Sequence, residues 1–457
     1  MKTRALLLLM MLMLMLVPLY ALARPGGGQS YHAAPSHSSS SSSHSYSTGH
    51  SVSVGGGGGS MSPGAALTLL IVVGIIVVIV MVTKKRGDDR ASVAVDQMTQ
   101  QEGLNALRGQ DPGFDQAQFA ERAKGVMAKV NEAWVAGAMG PARRHISDGV
   151  YVRFQTQLAL LKAQGLRNAM ADWSVVACEV LAAESDAKWD TVHVKMVGQA
   201  RDADVSASLN AQQAMEKAKH APLVRYEEVW SFLRKRGSKS KNGVPTLEGR
   251  CPNCGADLPV SDVVRCEYCK AVVNSGEHDW VLAEITQPEE WRPWMTNADL
   301  EGLNALQAKD PAVSRQELED RASVVFWKWI DARVTGARTR FERFCLSPGQ
   351  PPADRAALSQ VAVGSSELVY VTVGEEGLDR CEVEITWSAA ENGGQPVNQV
   401  NRVVLARATT ATSKGGLNSL DCPNCRGPLA DSDLAKCNFC GEPLAGGKHE
   451  WSLEAVA

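Results

Sequence analysis

The chain has 457 residues, a net charge of −3, a pI near 6.3 and a hydrophobic content of 44%. That length allows two or three domains, and the near-neutral charge gives no electrostatic case for nucleic acid as a partner. The apolar content suits globular domains accompanied by a membrane segment.

Residues 1–23 read as a signal peptide. Lys2 and Arg4 precede an apolar run from Ala5 to Val17, Pro18 breaks it, and Ala21-Leu22-Ala23 supplies a small-x-small cleavage site. An uncleaved anchor is the alternative. Residues 24–63 turn to Ser, Gly and His, a composition that buries too little apolar surface to offset its ordering entropy. This spacer is expected to be disordered, with His32, His37, His44 and His50 either weak metal ligands or without a specific role. Residues 64–83 contain an uncharged, mainly aliphatic run, Ala65 to Val82, long enough for one transmembrane helix. Lys84, Lys85 and Arg86 follow at once, so the positive-inside rule places the later residues in the cytoplasm and the spacer outside. A single pass through a cell inner membrane is expected.

The remainder is written twice. Glu102-Gly-Leu-Asn-Ala-Leu107 returns as Glu301 to Leu306, and Asp-Pro follows in both copies (Asp111-Pro112, Asp310-Pro311). A helix comes next, with Phe119, Ala123, Val126, Met127, Val130 and Trp134 on one face; the second copy repeats that face as Leu318, Ala322, Val325, Phe326 and Trp329. Asp115 with Gln118, and Ser314 with Glu317, have capping-box spacing, while Gly137 and Gly336 mark the stops. In the first copy a second helix, capped by Asp148 and ended by Gly165, turns Val150, Tyr151, Phe154, Leu158 and Leu161 inward. Strands follow by alternation: Val192, Val194 and Met196 against Thr191, His193 and Lys195, then Tyr226, Trp230 and Phe232, and in the second copy Cys381, Val383, Ile385 and Trp387. The helical motif repeats at 199 residues and the later cysteine block at 171, so the second copy is 28 residues shorter, mostly at the second helix. Helices first and an antiparallel sheet afterwards give an α+β class, with domains at 98–236 and 299–410.

A cysteine block follows each domain, at 247–287 and 418–457. Cys251-Pro-Asn-Cys254 and Cys266-Glu-Tyr-Cys269 form the first; Cys422-Pro-Asn-Cys425 and Cys437-Asn-Phe-Cys440 form the second. Four thiolates satisfy tetrahedral zinc and leave no open position, so two structural zinc ions are expected. Disulfides or a redox CxxC are the alternative, which a reducing cytoplasm disfavours. A block of about 30 residues has too little apolar area to fold alone. His278-Asp-Trp280 and His449-Glu-Trp451 follow at equal distance; Trp280 and Trp451 are expected to cover the ribbons, with each His at an edge.

The stretches Asp111-Pro-Gly-Phe114-Asp115, Phe119, Ala133-Trp134, Ile146-Ser-Asp-Gly-Val-Tyr151 and Glu227-Glu-Val-Trp230-Ser-Phe232 resemble the Tim44-like domain family. The resemblance covers 98–236 and reaches 299–410 through the internal repeat, where Val313 and Arg333 replace Phe114 and Trp134. With its signal, spacer, membrane helix and zinc ribbons, the chain looks like bacterial envelope members of that family. The resemblance implies two cone-shaped domains similar to nuclear transport factor two, each with a concave apolar pocket. The family's best-known member tethers a chaperone beside a translocase and touches anionic lipid. Its chaperone-binding N-terminal segment is missing here, so chaperone binding does not carry over.

No GxSxG, P-loop, HExxH or dinucleotide fingerprint is present. The expected function is a membrane-tethered adaptor with a protein partner, in protein transport or envelope protein handling, and not an enzyme. The alternative is a small-ligand-binding or enzymatic domain, for which His193 and Asp190 are the candidate polar groups. Arg234-Lys-Arg236 with Lys239 and Lys241 is either a contact for anionic head groups or a solvated linker. Cys178, Cys345 and Cys381 are expected to be packed thiols.

Overall fold

The computed structural model describes residues 100–240, 246–259, 264–292, 300–347, 355–429 and 434–457. The expected signal peptide, spacer and transmembrane segment fall outside the described residues, among which no helix is long and apolar enough to cross a membrane. From Leu104 onward the described residues belong to one compact unit.

The first copy contains helix α1 (100–110), α2 (Gln116–Ala136), a 3-10 turn (Gly140–His145), α3 (Asp148–Ala163), strands β1 (Leu166–Ser185) and β2 (Trp189–Ser206), a short α4 (Ala211–Ala218), β3 (Leu223–Lys235) and β4 (Val281–Thr286). The second contains α5 (Glu301–Lys309), α6 (Arg315–Thr335), α7 (Arg338–Glu342), β5 (Leu358–Glu375), β6 (Leu378–Glu391), β7 (Val397–Ala408) and β8 (Ser452–Val456). Each half is a four-stranded antiparallel meander, ordered β1-β2-β3-β4 and β5-β6-β7-β8. This is the expected α+β architecture.

Capping chemistry starts the long helices where the sequence places them. The Asp115 and Ser314 side chains accept from the amides of Gln118 and Glu317, and Gly137 and Gly336 take left-handed φ of 72° and 78° at the exits. The cap of α3 is different from the expectation: Ser147 accepts from Val150 N, and Asp148 is the first helical residue. Asp148 is engaged elsewhere, accepting from the Leu420 amide at 2.9 Å.

The alternation of the strands holds. Val192, Val194 and Met196 enter the first core with Phe119, Trp134, Trp230 and Phe232, and Cys381, Val383, Ile385 and Trp387 enter the second with Phe326 and Trp327. Thr191 and His193, on the opposite face of β2, are buried as well, because the second half covers that face.

Two features depart from the sequence reading. First, the cysteine blocks are spliced into the sheets. Each lies between the third and fourth strands, and the segment after it returns as β4 or β8. Trp280 and Trp451 therefore belong to the two main cores and do not cover the ribbons. Arg122 of α2 donates to the Trp280 carbonyl at 3.1 Å, and its equivalent, Arg321 of α6, donates to the Trp451 carbonyl at 2.8 Å.

Second, α3 serves both cores. Val150, Phe154 and Leu161 point into the first, while Val152 and Leu160 point into the second. A helix buried on both sides must approach its neighbour closely, and Gly149 permits this: a Cβ there would lie 2.5 Å from Asp320 Oδ1, which instead accepts from the Gly149 amide at 2.9 Å. Arg153 donates to the carbonyls of Ile285 and Val363, tying α3 to β4 and β5.

Candidate metal centres and the crevice between the halves

All eight predicted ligands converge, four by four. Cys251, Cys254, Cys266 and Cys269 form one group and Cys422, Cys425, Cys437 and Cys440 the other, with the sulfurs of each group within 4.8 Å of one another. In the first group Cys251 and Cys269 stand 3.7 Å apart and Cys254 and Cys266 3.8 Å; in the second Cys422 and Cys440 stand 3.8 Å apart and Cys425 and Cys437 3.7 Å. A disulfide requires about 2.05 Å, whereas tetrahedral sulfurs about 2.3 Å from a zinc ion stand about 3.8 Å apart. The donor set and its spacing thus fit a closed four-thiolate metal site.

The knuckles have a common local cause. Backbone reversal places the residue after each second cysteine in the left-handed region: Gly255 at 78°, Lys270 at 63°, Arg426 at 59° and Gly441 at 75°. This turns the first cysteine's amide onto a carbonyl across the knuckle, as in Cys251 N to Ala256 O at 2.7 Å and Cys422 N to Gly427 O at 2.8 Å. The ribbons also hold each other, since Arg265 donates to Asp421 at 2.7 Å and to the Arg426 carbonyl at 2.9 Å. The tip of each second knuckle exposes an aromatic ring, Tyr268 at 74% and Phe439 at 67%.

Beneath each ribbon lies a repeated ion cluster that the sequence reading missed. Arg234 donates to Asp111 at 3.0 Å, stands 3.6 Å from Asp190 and lies over the Trp280 ring. In the second half Arg407 pairs with Asp310 at 2.9 Å, stands 3.7 Å from Asp379 and lies over Trp451. Burial opposes ionisation of Asp111, yet the Ser240 hydroxyl and Arg234 hold its carboxyl below the usual range. The signal was the repeated Asp-Pro pair. Arg234 is 2% exposed, so it is not available to a head group; Lys235, Arg236 and Lys239 of that run are exposed. Asp190 belongs to this cluster and not with His193.

His193 lines a crevice of about 80 Å³ between the outer face of the first sheet and α6 and β5 of the second half. Its ring nitrogens contact Ser231 Oγ and Glu184 Oε1, each at 2.8 Å, so three adjacent strands align Glu184, His193 and Ser231 in series. Glu284, on β4 beside Ser231, extends this row, and the carboxyls of Glu319, Asp320 and Glu367 face it from the second half. Burial, reinforced by the charges of Glu319 and Glu367, pushes Glu284 up to about 8. Burial likewise raises Glu319 and Asp320 to about 7 each, and lifts Glu367. No spacing in the sequence signals this crevice, because its walls come from both copies.

Outside the ribbons, Cys345 and Cys381 are buried and Cys178 is half-buried. Burial pushes the Cys178 thiol up to about 11 and Cys345 up to about 12, as for inert packed thiols.

Residues 100–243 match the family model of the Tim44-like domain. No curated protein matches the chain. A solved structure described as "Ntf2 like protein involved in plasmid conjugation" is similar at 10% identity, covering 64% of this chain and 91% of that one, with a TM-score of 0.13.

Proposed function

We propose that the chain is a membrane-tethered, non-enzymatic adaptor that holds two Tim44-like halves, each stapled by a structural zinc ion, on the cytoplasmic side of an inner membrane. The observation that carries this reading is the sharing of α3 between two cores. It holds two copies of one surface at a set spacing, so that two weak contacts act together on one partner. The aromatic tips at Tyr268 and Phe439 are the best-exposed repeated groups for such a contact. The apolar run before Lys84 supplies the tether, and an anionic-lipid contact rests on Lys235, Arg236 and Lys239. Protein transport or envelope protein handling is the setting that the family match favours.

A photocrosslinking residue at Phe439 in the membrane-embedded chain should yield a discrete protein adduct. A chain starting at residue 98 should fold but fail in the cell; full complementation by it would remove tethering from the function. The Glu184–His193–Ser231 series favours a second reading, nucleophilic catalysis at Ser231. A fluorophosphonate probe distinguishes the two: the adaptor reading expects no covalent label on Ser231.

A further inference from the structure

The crevice between the halves gathers more carboxyl groups than cationic partners. Glu184, Glu284, Glu290, Glu319, Asp320 and Glu367 line it, against three arginines. Arg315 serves two of those carboxyls, standing 3.7 Å from Glu184 and 4.0 Å from Glu319, while Arg153 donates to two backbone carbonyls and Arg292 sits exposed at the rim on the Trp291 carbonyl. Three side chains in the lining, each more than nine-tenths buried, also have an oxygen without a hydrogen-bond partner, Gln316 Oε1, Asp320 Oδ2 and Ser366 Oγ, against a partly buried donor in the same state, Trp291 Nε1. The Gln316 atom is an acceptor only, as is every ionised carboxylate around it. The unmet requirement is therefore for N–H donors carrying positive charge.

A bare metal ion does not meet it. Among the described residues, only the two cysteine groups bring three or more ligand atoms within 4.8 Å of one another. The acceptors of the crevice are spread around its walls, which suits a cation with several donors. Trp291, whose ring centroid is 5.5 Å from that of His193, adds an aromatic wall. The volume of about 80 Å³ exceeds several times the roughly 10–15 Å³ that one water needs.

We propose that this crevice is a binding site for a compact organic cation, an alkylammonium or guanidinium group, recognised jointly by the first sheet and by α6 and β5. The site exists only because the two copies are packed together, and it stands independently of the adaptor reading. The cation has two sources, a free small molecule or a basic side chain of a partner. Binding ionises carboxylates that burial otherwise keeps partly protonated, so it should release protons and strengthen as pH rises.

Titration calorimetry of the full chain with methylguanidinium tests this, with tetramethylammonium as a charged control lacking N–H donors. The expected result is saturable one-to-one binding of methylguanidinium, at least tenfold tighter at pH 8.5 than at pH 6.5, with an enthalpy that depends on buffer ionisation. Glu319→Gln should weaken binding at least tenfold without lowering the melting temperature, and Glu284→Gln serves if that variant misfolds. A blocked Gly-Arg-Gly peptide separates the sources: tighter binding than methylguanidinium, still sensitive to the variants, assigns a partner side chain, and exclusion of the peptide assigns a free cation. Absence of saturable methylguanidinium and peptide binding at pH 8.5 overturns the site, as does affinity unchanged by both variants or equal binding of tetramethylammonium.

Discussion

The two halves kept different things after duplication. Both retain the buried Arg–Asp–Asp cluster over a tryptophan, the arginine that grips the tryptophan carbonyl, and the four-thiolate block between the third and fourth strands. Only the first retains a long second helix. The second has the five-residue α7 instead and fills its core with Val152 and Leu160 of α3. Polar clusters that pin a strand have no substitute within a copy, whereas an apolar surface is satisfied by any apolar neighbour, including one from the other copy.

The largest expected effect breaks the symmetry of that comparison. A fragment covering 299–457 should show no cooperative melting, since its core lacks α3, whereas 98–292 should melt cooperatively. Equal behaviour of the two fragments in circular-dichroism melts would contradict the sharing of α3.

Metal comes next, and here the halves should respond alike. Cys254→Ser and Cys425→Ser should each lower zinc content from two ions to one per chain by elemental analysis. Each should also cause a large drop in melting temperature, because a structural four-thiolate site of this kind contributes on the order of 10 kcal/mol of folding energy in peptides. Both sheets close through the strand beyond the block, so the damage should reach the main cores.

A smaller and equally symmetric loss is expected from Asp111→Ala and Asp310→Ala. Each leaves a fully buried arginine without its principal partner, at a cost of about 3–5 kcal/mol in chemical denaturation. A loss under about 1 kcal/mol in either would show that the cluster is not what fixes Arg234 or Arg407.

The smallest effect reads the seam between the halves. Glu284, Glu319 and Asp320 titrate near 8, 7 and 7, well above their unfolded values. Carboxyls raised in the folded state contribute stability below their unfolded pKa, and that contribution is lost as pH rises through the folded pKa. Melting temperature should therefore fall from pH 6 to pH 8, by about 1 kcal/mol of stability per carboxyl. Glu319→Gln should flatten the slope; a slope of the opposite sign would place these groups in water.

Much of this was legible in the residues. The cysteine spacing brought the right four sulfurs together twice, and the stripe from Phe119 to Trp134 marked the core face of α2. The second stripe of α3 was also present, as Val152, Thr156 and Leu160, but a helix with polar residues between its apolar ones reads as one-sided until its neighbour is known. Likewise, nothing in the sequence of Val281–Thr286 says that it closes the main sheet beside β3. The crevice was not legible at all, since Glu184, Ser231, Glu319 and Glu367 lie far apart in the chain and share no spacing.

Splicing a metal block between β3 and β4 also gives synthesis an order. The 45 residues from 236 to 280 separate the two strands, which at about 5–20 residues per second means a wait of about 2–9 s. Through that interval a ribosome-bound nascent chain has three strands of the first sheet and no fourth, with Trp230 and Phe232 beside an unpaired edge. The knuckles emerge before the closing strand does, so if they take zinc as their four thiolates allow, capture would precede closure, and a shortage of zinc would be felt first as a delay at a half-built sheet.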